Sequence, residues 1–290
     1  MHIYFVRHGE TEMNQWRAYY GALDVPLTAR GLCQAQDIGR MLKDIPFDSV
    51  YISDKSRARQ TAEEILTAGG RGAARMLCEA SRHQDGARRY GEPAPRQDEP
   101  LRNAPQHEMA SRPHGGLRCH AEPMPRQVES RQAAMPDGPA SRLQVVPQLS
   151  ELNFGCFDGL TNVEAQERFP QVYQQWCSDW LDYELPGGES FRAFFSRVKG
   201  AFEEIIENEV GAATLHKEST DVSSVSDNMM ENPDKNLLIC AHNGTLRVIF
   251  AVMCGLDAAG TWHFNFEQDA YSLADYEWGN FTIRTINGRG

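Results

Sequence analysis

The feature that most constrains the fold of this chain is the near-continuous apolar run NLLICA at residues 236–241. Such a run without polar alternation is typical of a strand covered on both faces, as in a parallel sheet flanked by helices. Further strands are predicted for HIYFV at 2–6, DSVYIS at 48–53, QVVPQL at 144–149, YSLADYEW at 271–278 and FTIRTI at 281–286.

Segments with helical periodicity alternate with these strands. Helices are predicted over 28–45, near 56–67, in several turns across 161–181, and over 244–255. A strongly amphipathic helix begins at Ser190, and it places the apolar residues Phe191, Phe194, Phe195, Val198, Phe202 and Ile205 on one face. The alternation predicts an α/β fold, a three-layer sandwich in which a mostly parallel central sheet is flanked by helices.

Two segments depart from this pattern. Residues 69–142 contain no Phe, Trp, Ile or Lys and are rich in Arg, Pro, Gln, Ala and Gly. Such a composition buries too little apolar surface to offset the entropy of ordering, so we predict a disordered Arg/Pro-rich insertion. A second polar stretch predicts a flexible loop over 211–235. The remaining residues, 1–68 and 143–290, are predicted to form a single catalytic domain.

Composition excludes several classes of function. The formal net charge of −11 argues against a nucleic-acid or anionic-membrane partner, because phosphate backbones are held chiefly by basic surfaces. Apolar runs are too short to span a bilayer, and no export signal follows Met1, so a cytoplasmic location is expected. The seven cysteines include no C-x-x-C pair, which favours reduced thiols. Nothing in the sequence indicates the oligomeric state.

Polar side chains follow three of the predicted strands. Arg7 and His8 follow the first, Arg57 comes shortly after the second, and His242 follows NLLICA. In open α/β sheets, ligands bind in crevices at the carboxyl ends of the strands. Two arginines and two histidines there would form a local cationic pocket on an acidic protein, suited to the oxygens of a phosphoryl group. The predicted ligand is therefore a small phosphorylated metabolite.

Two residues are candidates for the chemistry in this pocket. A neutral imidazole is a competent nucleophile, and His8 is favoured because it lies between Arg7 and Gly9, a glycine expected to let substrate approach closely. The leaving oxygen needs a proton, so a carboxylic acid should line the same cleft. Glu151, placed just after a predicted strand in a glycine-punctuated turn, is the candidate, and Asp158 in the same turn is the next.

Five segments, in order, resemble the motifs of the histidine phosphatase superfamily, also called the phosphoglycerate mutase-like family. They are RHGETEMN, SDKSRARQTAEEIL, LSELNFGCFDGLT, LPGGESFRAFFSRV and LLICAHNGTLR. The resemblance implies a phosphoglycerate mutase-like fold and a phosphorylated nucleophile at His8, with Glu151 as proton donor. It implies that Arg7, Arg57 and His242 complete the phosphate pocket and that no metal or organic cofactor is needed. Secondary substrate contacts are implied at Thr11, Asn14, Tyr20, Gly21 and Asn243.

Within that family, the short LPGGES loop resembles the phosphatase branch, which includes α-ribazole phosphatases of cobalamin biosynthesis and broad-specificity phosphatases. Hydrolysis is therefore favoured over mutase chemistry, which stays open. A rival from another class is a metal enzyme in which His8, His242 and Glu151 form a 2-His-1-carboxylate site. The adjacent Arg7 and Arg57 would repel a divalent cation. A non-catalytic scaffold is the third alternative, and the complete set of pocket residues argues against it.

Overall fold

A computed structural model describes residues 1–68, 142–215 and 235–289. The strands are β1 (His2–Arg7), β2 (Ser49–Ile52), β3 (Arg142–Val145), β4 (Asn236–Ala241), β5 (Tyr271–Glu277) and β6 (Asn280–Gly288). The α-helices are α1 (Glu12–Trp16), α2 (Ala29–Met41), α3 (Ser56–Thr67), α4 (Asn162–Arg168), α5 (Pro170–Ser178), α6 (Phe191–Leu215) and α7 (Asn243–Met253). Short 3-10 helices span Pro147–Leu149, Gly155–Phe157 and Ala258–His263.

The six strands form one sheet in the order β3-β2-β4-β1-β5-β6. The first four are mutually parallel, whereas β5 pairs antiparallel with β1 and β6 pairs antiparallel with β5. All six residues of β4 are buried, as expected for a central strand covered on both faces. The predicted α/β architecture with a largely parallel sheet is confirmed.

Helices cover both faces of this sheet. Successive residues of β1 point to opposite sides, so that Ile3 and Phe5 pack into one core and Tyr4 and Val6 into the other. Residues of α6 and α7 line the first core, and residues of α2 and α3 line the second. These contacts give the three layers that the periodicity predicts.

A third, smaller core lies beside α4 and α5. Its buried centre consists of Phe157, Ala165 and Leu185. Tyr19, from the segment after α1, packs against it through Phe154 and Trp176, with ring centroids 5.0 and 5.8 Å away. We call this aromatic cluster around Phe157 the cap core.

Several predicted boundaries differ from the structure. The strand predicted at 144–149 lies earlier, at Arg142–Val145, because Pro147, which has no N–H for a strand ladder, begins a 3-10 turn. Glu151 therefore follows that turn rather than a strand. The helix predicted over 28–45 ends at Met41, and α6 continues to Leu215, so residues 211–215 of the predicted loop are helical.

The rest of the two atypical segments lies outside the described residues, at 69–141 and 216–234, and their predicted disorder stays a prediction. Within the described ranges, no helix is long and apolar enough to cross a membrane. Cys156, Cys177, Cys240 and Cys254 are free thiols, whereas Cys33 is disulfide-bonded, contrary to the expectation of reduced thiols.

Candidate active site

The ends of β1 and β4 bring two histidines together. These strands pair in parallel with Arg7 opposite Ala241, so the next residues, His8 and His242, are neighbours. The backbone N–H of His8 donates to Ala241 O over 2.9 Å, and the two imidazole centroids lie 5.1 Å apart. The sheet register therefore creates the juxtaposition that the strand ends predict.

His8 is held in one tautomer. Its Nδ1 lies 2.8 Å from Gly9 O, and because a carbonyl can only accept, Nδ1 carries the proton. The residue is 3% exposed, and burial, with the nearby charges of Arg57 and Arg7, lowers its pKa well below the ordinary value. The ring is therefore neutral, with a lone pair on Nε2, which is the form that can attack phosphorus.

Gly9 makes a close backbone contact with α2. A Cβ at Gly9 would lie 2.3 Å from Gly31 O, in the first turns of α2. Glycine is thus required because two backbone segments touch, which presses the loop after β1 against α2. That Gly9 also lets substrate approach closely stays a prediction.

His242, which caps the N-terminus of α7, is completely buried and has both ring nitrogens engaged. Its Nδ1 accepts from Arg57 Nε over 3.3 Å, and its Nε2 lies 2.8 Å from the hydroxyl oxygen of Ser53. Because Nδ1 accepts, the proton is on Nε2 and is donated to Ser53. Burial, followed by the charge of Arg57, lowers the pKa of His242 well below its ordinary value, so this ring is also neutral.

Arg57 is the largest fully buried side chain in the described residues. Its Nη1 donates to Leu23 O over 2.8 Å, its Nη2 to Gly21 O over 3.4 Å, and its guanidinium carbon lies 4.7 Å from the centre of the Tyr20 ring. Burial lowers its pKa from the ordinary value. These hydrogen bonds, together with the one to His242, fix the guanidinium beside the two histidines.

Arg7 is anchored by the segment that precedes β5. Its Nη1 donates to Phe266 O over 2.8 Å. The side-chain oxygen of Asn243 accepts from Phe266 N over 3.1 Å, and its Nδ2 lies 3.4 Å from the side-chain oxygen of Asn265. Asn243, predicted as a substrate contact, therefore braces the loop that anchors Arg7.

Glu151 reaches the first turn of α7. Its Oε2 accepts from Gly244 N over 2.9 Å, and its Oε1 accepts from Leu152 N over 3.0 Å. A Cβ on residue 244 would lie 2.2 Å from Oε1, so glycine is needed there for the carboxylate to come so close. The first turn of α7 therefore supplies a backbone donor that fixes this side chain.

The predicted secondary contacts form a connected group. The hydroxyl of Thr11, which is completely buried, lies 3.0 Å from Tyr20 Oη and 3.1 Å from Asn14 Oδ1. Asn14 Oδ1 also accepts from Thr11 N and from Gln268 Nε2, at 3.0 and 2.8 Å. The scaffold thus holds the oxygen of Asn14 and orients its amide group.

Gly21 and Asp158 stabilise the segment that anchors Arg57. The two carboxylate oxygens of Asp158 accept from Gly21 N and Ala22 N, at 2.7 and 3.1 Å. The N–H of Gly21, predicted to contact substrate, is therefore bound within the protein. Burial raises the pKa of Asp158, and its two oxygens hold the backbone of residues 21–22 in place.

Sequence patterns missed three contributors. The fold brings each of them to a predicted residue: Ser53 to His242, Gln268 to Asn14 and the Phe266 carbonyl to Arg7. Ser53 had one usable signal, since it is the polar residue that ends the apolar strand VYI. Gln268 and Phe266 precede β5, and nothing in their spacing relates them to the first strand.

The alternative metal triad does not assemble. In the described ranges, no group of three or more His, Cys, Asp or Glu side chains is arranged to hold a metal ion. Both ring nitrogens of His242 are bound to Arg57 and Ser53, and Glu151 accepts from two backbone N–H groups. The arrangement instead offers two guanidinium groups and an imidazole lone pair, which fits an anion that undergoes nucleophilic attack.

Comparison with known proteins defines the class. The model of the histidine phosphatase superfamily (branch 1) matches residues 3–79, 120–217 and 221–289. The chain belongs to this family, as its motifs indicate, and it is a phosphatase with a phosphoglycerate mutase-like α/β fold.

Individual relatives agree with this assignment. The chain is 25% identical over 289 residues to the adenosylcobalamin/α-ribazole phosphatase of Salmonella typhimurium, covering 100% of this chain and 97% of the relative. It is 20% identical to phosphoserine phosphatase 1 of Hydrogenobacter thermophilus, over 98% of this chain and 91% of the relative. The crystal structure of the α-ribazole phosphatase from Shigella flexneri shares the fold with a TM-score of 0.61 at 24% identity, covering 100% and 97% of the two chains.

Proposed function

We propose that this phosphatase hydrolyses a phosphomonoester through a phosphohistidine formed on His8. The observation that carries the proposal is the bond between His8 Nδ1 and Gly9 O, 2.8 Å long, because it leaves the unprotonated Nε2 as the nucleophilic atom. Nε2 attacks phosphorus, the bond from phosphorus to the ester oxygen breaks, and the phosphoryl group is transferred to the ring. Water then attacks phosphorus, the P–N bond breaks, and inorganic phosphate leaves.

The charges of the pocket support this transfer. Arg7 and Arg57 supply two positive charges for the oxygens of the phosphoryl group, and both guanidiniums are anchored to backbone carbonyls before any ligand arrives. Donors that are fixed in advance stabilise charge in the transition state without a cost of reorganisation. His242 contributes a neutral ring beside His8 and holds the Nε of Arg57.

Glu151 supplies the two proton transfers in this scheme. It protonates the ester oxygen as that oxygen leaves, and in the second step it accepts a proton from the attacking water. Its carboxylate is only partly buried and lies at the N-terminus of the helix that His242 caps, so it belongs to the same edge of the sheet as the histidines.

The substrate we propose to test first is α-ribazole 5′-phosphate. Support comes from the names of the Salmonella and Shigella relatives, with which this chain aligns over nearly its whole length. The phosphoserine phosphatase relative shows that a similar chain can act on another small phosphate ester. A phosphate-release screen over α-ribazole phosphate, phosphoserine, phosphoglycerates and sugar phosphates compares these substrates, and isomerisation of phosphoglycerate without phosphate release would indicate mutase chemistry instead.

The decisive experiment is to trap the intermediate. Rapid acid-free quenching of the enzyme with radiolabelled substrate is expected to leave a phosphate on the protein that is stable in base and labile in acid. His8→Ala should abolish both the label and turnover, whereas His263→Ala, which changes an exposed histidine outside the pocket, should retain both. Turnover by His8→Ala at the wild-type rate would overturn the mechanism.

A further inference from the structure

Arg197, on α6, lies behind the loop that carries Glu151. Its Nη1 donates to Gln148 O and Ser150 O, at 2.7 and 3.1 Å, and its Nη2 lies 3.4 Å from Glu151 O. One guanidinium thus contacts three backbone carbonyls of the segment that ends at Glu151. The sequence analysis assigns no role to Arg197.

Glu189 holds the same guanidinium from the other side and extends the contact past Glu151. It pairs with Arg197 through two bonds, Oε1 to Nη2 at 2.6 Å and Oε2 to Nε at 3.2 Å. Its Oε1 also accepts from Asn153 N over 3.0 Å. The bidentate pair therefore binds the backbone on both flanks of Glu151, and its planar geometry restricts the loop more than a single contact would.

The front of the loop is held by α7. The Thr245 hydroxyl lies 3.2 Å from Leu149 O, and Gly244 N donates to the Glu151 carboxylate over 2.9 Å. The position of the Glu151 carboxylate is thus set by α7 in front and by the pair Arg197–Glu189 behind. Loss of the rear support would let the backbone of residues 148–153 shift while the bonds to α7 remain.

We propose that Arg197, together with Glu189, is a positioning residue for the acid–base step at Glu151. The inference rests on the proposed function, since it assigns a role only if Glu151 transfers the protons. Misplacement of a reacting group by about 1 Å can cost on the order of 100-fold in rate. The pair therefore acts on kcat through the geometry of Glu151, without touching the substrate.

The same helix offers a matched control. Arg192 also forms a bidentate pair with a carboxylate, through bonds of 2.5 and 2.9 Å to Asp182. That pair is exposed, and its hydrogen bonds in the described residues do not include the backbone of 148–153. Arg192→Gln therefore removes an ion pair of the same type from α6 while leaving the Glu151 loop as it is.

The test compares Arg197→Gln, Arg197→Lys, Glu189→Gln and Arg192→Gln with two substrates, glycerol 2-phosphate and p-nitrophenyl phosphate. Burst kinetics isolate the phosphorylation step. The Arg197 and Glu189 variants should slow this step by about 10- to 100-fold for glycerol 2-phosphate, whose leaving group needs a proton, and much less for p-nitrophenyl phosphate, with little change in KM. Arg192→Gln should match the wild type.

Combination with Glu151→Gln separates positioning from a general structural effect. If Arg197 acts through Glu151, Arg197→Gln should add little to the loss that Glu151→Gln already causes. Full additivity, or equal losses for the two substrates, would overturn the inference. Urea unfolding of each variant checks that it folds. If Arg197→Gln does not fold, the test rests on Arg197→Lys, which keeps the positive charge but cannot form the bidentate pair.

The outcomes also distinguish the inference from the proposed function. If His8→Ala and Glu151→Gln leave hydrolysis intact, the proposed function itself is wrong. If His8→Ala and Glu151→Gln lose activity as expected while the Arg197 variants behave like Arg192→Gln, only the positioning role is wrong.

Discussion

Arg57 and His242 are joined by a hydrogen bond in the protein interior, in which the guanidinium Nε donates to the imidazole Nδ1 over 3.3 Å. Because arginine can only donate, the proton of His242 is on Nε2, and this N–H donates a hydrogen bond to the hydroxyl oxygen of Ser53. Arg57, His242 and Ser53 thus form a chain of three buried polar groups. The tautomer of His242 is set by its two neighbours in this chain.

Ser53→Ala removes the hydrogen-bond acceptor at one end of this chain. It leaves the Nε2 proton of a fully buried imidazole without an acceptor, so we expect a loss of about 1–3 kcal/mol in the free energy of unfolding. We also expect lower kcat/KM, because His242 can then change tautomer and release Arg57. Ser178→Ala, at an exposed serine at the end of α5, is the control, and equal unfolding midpoints for the two variants in urea would contradict the assigned tautomer.

Glu151→Gln should affect substrates according to their leaving groups. The phosphorylation step of an alkyl phosphate should slow by about 10²–10⁴-fold, the usual contribution of general acid catalysis, and that of p-nitrophenyl phosphate much less. Dephosphorylation should slow equally for both substrates, because the same water is activated in each case. Equal losses in the first step, measured by burst kinetics, would remove Glu151 from the role of acid.

Gly244→Ala should disturb Glu151 without removing it. The added methyl carbon would lie 2.2 Å from Glu151 Oε1, so the carboxylate must move away from α7. We expect reduced turnover with the same leaving-group dependence as in Glu151→Gln, in a protein that still folds. Gly200→Ala is the matched control, since no atom lies within 4 Å of its added carbon and alanine stabilises a helix interior by about 0.5–1 kcal/mol. Unchanged activity in Gly244→Ala would show that the contact is not needed.

Stability should fall with acidification through the two buried histidines. Their pKa values are lowered in the folded state, so below pH about 6.5 the unfolded chain binds protons that the folded protein does not. The free energy of unfolding is therefore highest above this pH and decreases as pH falls, by up to about 1.4 kcal/mol per pH unit for each histidine. His8→Asn removes one of the two histidines, so the slope of the unfolding free energy against pH should become shallower by up to about 1.4 kcal/mol per pH unit. Urea titrations in phosphate-free buffer at several pH values measure this difference, and identical slopes would contradict it.

Treatment with EDTA should leave phosphatase activity unchanged. The expectation follows from the residues, since two members of the candidate metal triad, His242 and Glu151, are bound to other groups in the described residues, and Arg7 and Arg57 lie beside His8. The enzyme is assayed after dialysis against the chelator, with and without added Zn²⁺, Fe²⁺ or Mg²⁺. Loss of activity that a metal restores would favour the metal-enzyme alternative over the phosphohistidine mechanism.

Local patterns were sufficient to predict the sheet and the residues at its strand ends. A short apolar run such as 236–241 is typical of a strand covered on both faces, and the parallel pairing of β1 and β4 then places Arg7, His8 and His242 at one edge. The irregular segment before Glu151 was harder to predict, since Val145 and Val146 have strand propensity and only Pro147 marks the turn. Tertiary contacts such as those of Gln268 with Asn14 leave no local signal at all.

Glycines were the least predictable part of the site. Gly9 and Gly244 are both needed because a methyl group would collide, with Gly31 O in one case and with Glu151 in the other. Neither collision can be inferred from spacing, because the colliding atom belongs to a segment that is distant in the chain. The resemblance to a family located the motifs, but it did not indicate what each glycine contacts.

The two adjacent tyrosines of the segment after α1 have opposite surroundings. Tyr19 packs into the cap core, where burial raises its pKa to about 12, whereas Tyr20 lies beneath the guanidinium of Arg57. One peptide bond therefore links the packing of the cap core to the phosphate pocket. Substitutions that loosen the aromatic cluster around Phe157 should therefore shift Tyr20 and Arg57 and change the affinity for a phosphate ion. Residues of the cap core, outside the pocket, would then control how tightly the enzyme retains its product.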